Sequence, residues 1–281
     1  MTTAGAGTPV GVLLRDWRRR RRLTQLELAV RARVSTRHLS FIETGRSRPT
    51  SDMILRLSEP LEIPLRERNA LLLAGGYAPA FPRHQLPDPP MAAVSEAITM
   101  ILTAHEPFPA VVVDRAWDLI AGNDAADALT AGSAAHLLVP PVNVLRLSLH
   151  PDGLAPRIVN LVQWRSHLLA RLARDIAATG DGGLVRLRDE VAGYPAPGGS
   201  HPPGPTTLVV PLRLRTPAGE LSLISTTTVF GTPRDVTVAE LAIESFYPAD
   251  RDSAEALRAV ARDAADRRPT SPDGHRGAGR S

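Results

Sequence analysis

Five prolines fall within APAFPRHQLPDPP at 78–90. Proline fixes φ and lacks an N–H, so neither a helix interior nor a central strand runs through such a stretch. The 281 residues are thereby split into a short head and a longer body, a length that suits about two domains. The patterns predict a disordered start at 1–9, a helical head at 10–77, a stiff Pro-rich linker at 78–90 and an α+β body at 91–250. A charged helix at 251–268 and a disordered tail at 269–281 are expected to follow.

Charge divides the same way. Residues 1–84 hold 15 Arg against 7 acids, a net of +8, whereas 85–281 hold 18 Arg against 22 acids, a net of −4. A surface for a polyanion therefore belongs to the head. No apolar run approaches the roughly 18 residues of a membrane span. The basic run at 18–22 lies inside an amphipathic pattern, not ahead of the apolar core of a secretion signal. Cysteine is absent, which removes disulfides, thiolate nucleophiles and Cys-ligated zinc. The expectation is a cytoplasmic protein with no membrane partner.

The head reads as five short helices. TQLE at 24–27 is a capping-box pattern for the second, Thr50 caps the fourth, and Pro64 begins a fifth that stops at Gly75 and Gly76. The third lies within VSTRHLSFIETGRSRPT at 34–50, capped by Ser35 and stopped by Gly45. Only Leu39 and Ile42 point inward. Thr36, Arg37, Ser40, Phe41 and Thr44 share the opposite face, with Arg46 and Arg48 directly behind. Two such helices joined around Arg33, in a basic all-helical unit, make a helix-turn-helix.

The string LTQLELAVRARVSTRHLSFIETGRSRPT closely resembles the lambda-repressor-like, or XRE-type, DNA-binding domain, and the resemblance covers about 10–76. It implies double-stranded DNA as partner. Gln25 would contact a phosphate, and Thr36, Arg37, Ser40 and Phe41 would face the major groove, with the cap Ser35 beside them. Arg37 would grip guanine, and Phe41 would pack on a thymine methyl. Thr44, Arg46 and Arg48 would hold phosphates, fixing register without reading sequence. Arg18 and Glu43 match a structural ion pair of the family; the rest of the 18–22 run reads as a solvated helix face. Arg33 stands where relatives usually place Gly, which implies a positive φ or a phosphate contact there.

The body begins with a helix whose stripe is Val94, Ile98, Ile101 and Leu102. VVVDRAWDLIAGN at 111–123 then reads as strand, tight turn, strand and a helix capped by Asn123. A long amphipathic helix is expected over 156–179, ended by Gly180, and a Gly/Pro-rich loop over 193–205. TTLVVPLRLR at 206–215 alternates, with Leu208, Val210, Leu212 and Leu214 on one face; LSLISTTTVF at 221–230 is its partner, and a strand through Leu241, Ile243 and Ser245 completes a three-stranded antiparallel run.

FPAVVVDRAWDLIAGNDAA, VNVLRLSLHPDGLAPRIVNLVQWRSHLLARL and ELAIESFYPAD resemble the PAS-like ligand-binding domain of MmyB-like transcription regulators, over about 95–250. The fold expected is thus an all-α five-helix head followed by an α+β PAS-like domain with an antiparallel sheet. The resemblance implies a sensor for a small apolar molecule, a fatty-acyl compound being one class; a haem or flavin sensor stays open, although no Cys is available for a covalent flavin adduct and no His is singled out as an axial ligand, and no metal is indicated. Candidate lining residues are Trp117, Leu119, Trp164, Leu212, Ile224, Phe230 and Phe246. No enzyme signature is present: the histidines form neither HxxxH nor HExxH, and Asp175, Asp181, Asp189 and Glu190 read as solvated helix ends. The sum is a homodimeric DNA-binding regulator modulated by a small effector. Two alternatives stay open: a body that recruits a protein partner, and a body that is a regulatory enzyme.

Overall fold

The computed structural model describes residues 8–196, 209–217 and 219–266. The expected disorder at 1–9 and 269–281 falls almost wholly outside these residues, as do most of the loop at 193–205 and Leu208.

The head is five helices: α1 (Val10–Arg20), α2 (Gln25–Arg31), α3 (Thr36–Glu43), α4 (Ser51–Ser58) and α5 (Leu65–Ala74). Their starts are built by side chains. Thr24 Oγ1 accepts the Glu27 N–H at 3.2 Å while Glu27 Oε2 accepts the Thr24 N–H at 2.7 Å, completing the capping box. Ser35 and Thr50 accept from the N–H groups of His38 and Met53. The ends share one device. After every helix a left-handed residue (Arg22, Arg33, Gly45, Glu62 or Gly76) is followed by an N–H that returns to a carbonyl five residues back. Leu23, Val34, Ile63 and Tyr77 follow four of these and pack on the core, as the Schellman motif favours. Arg33 thus holds φ +55°, the strained alternative, at a cost of roughly 1–2 kcal/mol.

Leu14, Leu28, Leu39, Ile42, Ile54 and Leu71 meet in a core with at most 1% exposure each. The α1–α3 contact is unusually close. A Cβ on Gly11 would lie 2.0 Å from the Ile42 carbonyl oxygen, which is backbone and cannot step aside.

The body begins with a 3-10 turn (Pro89–Met91), α6 (Ala92–His105), β1 (Ala110–Val113), β2 (Leu119–Gly122) and α7 (Asp124–Thr130). Next come α8 (Val144–Leu149), α9 (Leu161–Thr179), α10 (Gly182–Ala192), β3 (Leu212–Thr216), β4 (Gly219–Val229), α11 (Val236–Glu240), β5 (Ala242–Pro248) and α12 (Arg251–Asp266). All strand pairs are antiparallel, in the order β2-β1-β5-β4-β3. The last strand in sequence therefore lies at the centre and joins the early hairpin to the late one. One sheet face packs Ala110, Val112 and Ile243 on Ile98 and Leu102 of α6. The other carries Leu212, Leu214, Leu221 and Leu223 beneath α8, α9 and α10.

Several sequence expectations are corrected. The expected three-stranded run is present as β3, β4 and β5, and the expected strand pair β1 and β2 joins it through β5 into one five-stranded sheet. The strand expected from 206 is recorded from Leu212, leaving Val210 outside it. The long helix starts at Leu161, since Pro156 sits in a separate 3-10 turn. Ile101 is 38% exposed, off the buried stripe of α6. The Pro-rich segment is docked rather than free-standing. Asn69 of α5 bonds Ala80 and Phe81 with both ends of its amide, Asp235 accepts the His84 N–H, and Thr237 donates to the His84 carbonyl.

Replacing Gly11 by Ala must push α1 away from α3. Although Ala is the better helix former, Gly11→Ala is expected to destabilise the head by about 1–3 kcal/mol, the range for overpacked sites. Urea denaturation followed by circular dichroism measures it; a gain in stability would contradict the close approach.

Candidate nucleic-acid interface and ligand cavity

The outward face of α3 is set by the two residues it buries, Leu39 and Ile42. Arg37 is exposed, Thr36 and Ser40 are half-buried, and none of these three side chains has a hydrogen bond within the described residues. Phe41 is flanked by two cations: the guanidinium carbons of Arg37 and Arg46 lie 5.3 and 6.0 Å from its ring centroid. The ring therefore orients arginines as well as offering an apolar edge. Other expected contact residues are engaged internally. The Thr44 hydroxyl donates to Ser40 O at 2.7 Å, Gln25 Nε2 donates to Glu43 at 2.8 Å, and Arg48 donates to Gly75 O at 3.0 Å, buttressing the end of α5.

Glu43 is 2% exposed and receives Arg18 through two parallel bonds of 2.7 and 2.8 Å, tying α3 to α1. Burial works to raise its pKa. The hydrogen bonds from Arg18 and Gln25 together outweigh burial, so the carboxyl sits below the usual range.

In the body, a cavity of about 390 Å³ lies between the sheet and α7, α8 and α9. Trp117, Leu119, Trp164, Leu212 and Phe246 line it; Ile224 and Phe230 do not. The reason is register. Leu223 and Ser225 of β4 face the cavity side, so Ile224 between them points to the opposite face. Phe230 lies past the end of β4 and packs against the α6 side. Polar groups gather at one corner. Arg171 of α9 forms a two-pronged ion pair with Glu244 of β5, one prong at 2.7 Å, and its guanidinium lies 4.5 Å from the Trp117 ring centroid. His167 stacks on Trp164 at 5.4 Å, and burial with the nearby Arg171 and Arg174 charges holds its pKa down. Sequence reasoning missed Arg171, Glu244 and His167. Arg171 occupies the stripe of Trp164 and Leu168, a charge on an otherwise apolar face, and that was the available signal.

Trp117 reaches the cavity from a strained loop. Asp114 Oδ1 accepts the N–H groups of Ala116 and Asp118, and Trp117 takes φ +67°, a position usually given to Gly at the end of a short hairpin loop. The same loop carries Arg115, whose guanidinium reaches Asp181 at 2.6 Å, Glu240 at 3.0 Å and Glu67 of α5 at 3.1 Å. Glu240 also pairs with Arg66 of α5. A second joint lies at the end of α9, where Arg21 donates to the carbonyls of Ala177 and Ala178 and also to Leu61 and Glu62. Gly180 ends α9 at φ +71°, and a Cβ there would meet Arg20. Arg20 and Arg21 also lie over Trp17. These arginines, read from sequence as a solvated face, are therefore junction residues. The acids expected at solvated helix ends are engaged as well: Asp181 with Arg115, Asp175 with Trp117 Nε1 at 3.2 Å, Glu190 with Arg146, and Asp189, at the surface, with Arg188.

Among the described residues, the histidines, scattered in sequence, meet at one place: His136, His150 and Asp152 bring potential ligand atoms within 4.8 Å of one another. His150 Nδ1 already accepts the Asp152 N–H at 3.0 Å, so only its Nε2 is open.

Glu43→Gln is expected to lower stability by about 3 kcal/mol, the lower end for breaking a buried pair from one side. Because the folded-state pKa of Glu43 is depressed, its contribution is complete above the unfolded value of about 4.3 and is lost as pH falls through the folded value. Denaturation of wild type and variant should therefore converge in acid; a difference independent of pH would exclude the ionised pair.

No curated protein matches the chain. Among solved structures, an RNA-binding Light-Oxygen-Voltage receptor is similar at 14% identity with a TM-score of 0.26, covering 92% of this chain and 62% of that one, less than two thirds of its length. Residues 14–68 match the helix-turn-helix family and residues 94–260 match the MmyB-like transcription regulator ligand binding domain. With a DNA-binding helix-turn-helix ahead of a ligand-binding domain that spans more than half of its length, the chain belongs to the MmyB-like transcription regulators.

Proposed function

We propose that this regulator acts in the cytoplasm as a homodimer on a two-fold operator, with half-sites about one helical turn apart, and that a small apolar effector in the cavity modulates its DNA affinity. One observation carries the effector part. The two elements that wall the polar corner, the Trp117 loop and α9, also hold the head, through Arg115 to Glu67 and through the α9 carbonyls to Arg21, beside the Arg66–Glu240 pair of α5 and α11. A ligand that shifts either wall acts directly on the junction. The docked linker and α6 are the remaining connection. No described helix is long and apolar enough to cross a membrane, which accords with work on DNA in the cytoplasm.

At the DNA, Arg37 reads base edges, and Arg46 holds phosphate. Thr36, Ser40 and Phe41 complete the groove contacts, with Ser35 and Arg33 at the edge of the interface. Gln25, Thr44 and Arg48 contribute chiefly by fixing the helices that present them.

Arg37→Ala is expected to cost about 1–3 kcal/mol on the cognate operator and to relax specificity. Arg46→Ala should weaken cognate and random DNA alike and reduce the salt slope by about 1. Gel-shift titrations at several salt concentrations separate the two; identical behaviour of both variants on both DNAs would overturn the sorting. Arg115→Ala should retain operator and ligand binding while weakening the effect of ligand on operator affinity, with the Arg21 contact to α9 left in place. An Arg115→Ala chain that still responds fully would remove this junction as the route.

A further inference from the structure

The cavity wall carries charge, but in the described residues none of it is free cation. Arg171 is the one basic side chain in the wall, counting His167 as neutral, and both oxygens of Glu244 already receive its guanidinium. The face of that guanidinium is covered by Trp117 at 4.5 Å. Glu244 is 4% exposed and also receives the Thr227 hydroxyl at 3.3 Å, so the pair is fixed from both strands and cannot swing into water. The other ionisable wall group is Asp127, a carboxyl that burial pushes above its ordinary pKa. An anion entering here would meet two acidic groups and a cation already neutralised. A carboxylate could gain Arg171 only by displacing Glu244 and stranding a buried charge.

Two further polar groups of the wall, both half-buried, make no internal hydrogen bond. Neither ring nitrogen of His167 nor the Ser225 hydroxyl has a hydrogen-bond partner among the described residues, and both border the cavity. They offer a donor and an acceptor to a neutral group. The remainder of the wall is mainly Leu, Val, Phe and Trp, with Pro109, Ala126 and two hydroxyls already engaged, Thr130 to the Asp127 carbonyl and Ser148 from Trp164 Nε1. At about 390 Å³ the space falls in the range of small-molecule sites.

Resting on the effector-binding reading, we propose that the cavity selects an uncharged amphiphile: an apolar body with one neutral hydrogen-bonding group, such as a hydroxyl or ester, at the Arg171–Glu244–His167 corner. The free carboxylate of the same skeleton is discriminated against by the Glu244 side chain. Arg171 and Glu244 together form a neutral wall whose specificity role is to exclude anions.

The test uses the full-length chain, with tryptophan fluorescence and calorimetry as readouts, since Trp117 and Trp164 border the cavity. The probes are octyl, decyl, dodecyl and tetradecyl alcohols, the methyl esters of the matching acids, and the ionised acids, below their micellar concentrations in mildly alkaline buffer. The expected result is that an alcohol or ester binds at least about tenfold tighter than its matched carboxylate, a gap of about 1.4 kcal/mol. Glu244→Gln should free Arg171 and raise the affinity of the carboxylate relative to its matched alcohol at least about tenfold; an unchanged ratio would overturn the role given to Glu244. Wild-type protein that binds the carboxylate as tightly as the alcohol overturns the neutral-ligand inference while leaving the effector cavity standing. Failure of every probe to bind removes the apolar-effector reading itself. The wild-type comparison decides by itself, so the result does not depend on the variant's folding.

Discussion

The Arg115 guanidinium is the point on which the arrangement of the two domains turns. It draws together a carboxylate from α5, the cap of α10 and the end of α11, three elements spread along the chain from Glu67 to Glu240. A planar guanidinium suits this role because its fork presents several donors at fixed angles; a lysine ammonium would be one strongly hydrated point charge. The junction is not saturated. Arg115 Nε and Glu67 Oε2 are buried with no hydrogen-bond partner, and burial lifts the Glu67 pKa even beside Arg115. Buried polar atoms left unpaired cost about 1–3 kcal/mol each.

Much of the head was legible in sequence because its determinants are local. Thr24 with Glu27, Ser35 and Thr50 announce helix starts within four residues of themselves. The repeated Schellman ends were only half legible. Gly45 and Gly76 mark two of them, but Arg22, Arg33 and Glu62 adopt the same left-handed geometry without a glycine to signal it. What identifies those three is the apolar residue that follows: Leu23, Val34 and Ile63 gain burial that offsets the backbone cost. The linker misled for the opposite reason. Its prolines do impose stiffness, but stiffness does not say whether a segment stands in solvent, and Asn69 and Asp235 lie far from it in sequence.

The cavity shows the same division between local and distant information. Trp117, Leu212 and Phe246 were legible as apolar members of short strands and turns, whereas Ile224 was assigned to the wrong face. A strand's period of two makes a one-residue difference in register equal to a change of sheet face. Ser225, which faces the cavity, looked polar and so carried no sequence signal for an apolar site. Glu244 was hidden similarly, as an acid between Ile243 and Ser245 in what reads as an ordinary strand. Its burial makes sense only once Arg171 is seen on the apposed helix.

The geometry also limits what any effector can do. A ligand shifts the head only by the difference between its affinities for the docked and undocked arrangements, however tightly it binds overall. Filling the apolar part of the cavity supplies affinity common to both. On the proposed reading the differential part comes from the cavity walls nearest the junction, Trp117, two residues from Arg115, and α9, whose terminal carbonyls hold Arg21. Linkage then requires the reverse effect: operator DNA that favours one arrangement of the heads changes effector affinity by the same factor. A strained Trp at φ +67° suits this role, since its backbone has few alternative conformations and a push on the indole is delivered to the loop rather than absorbed within it.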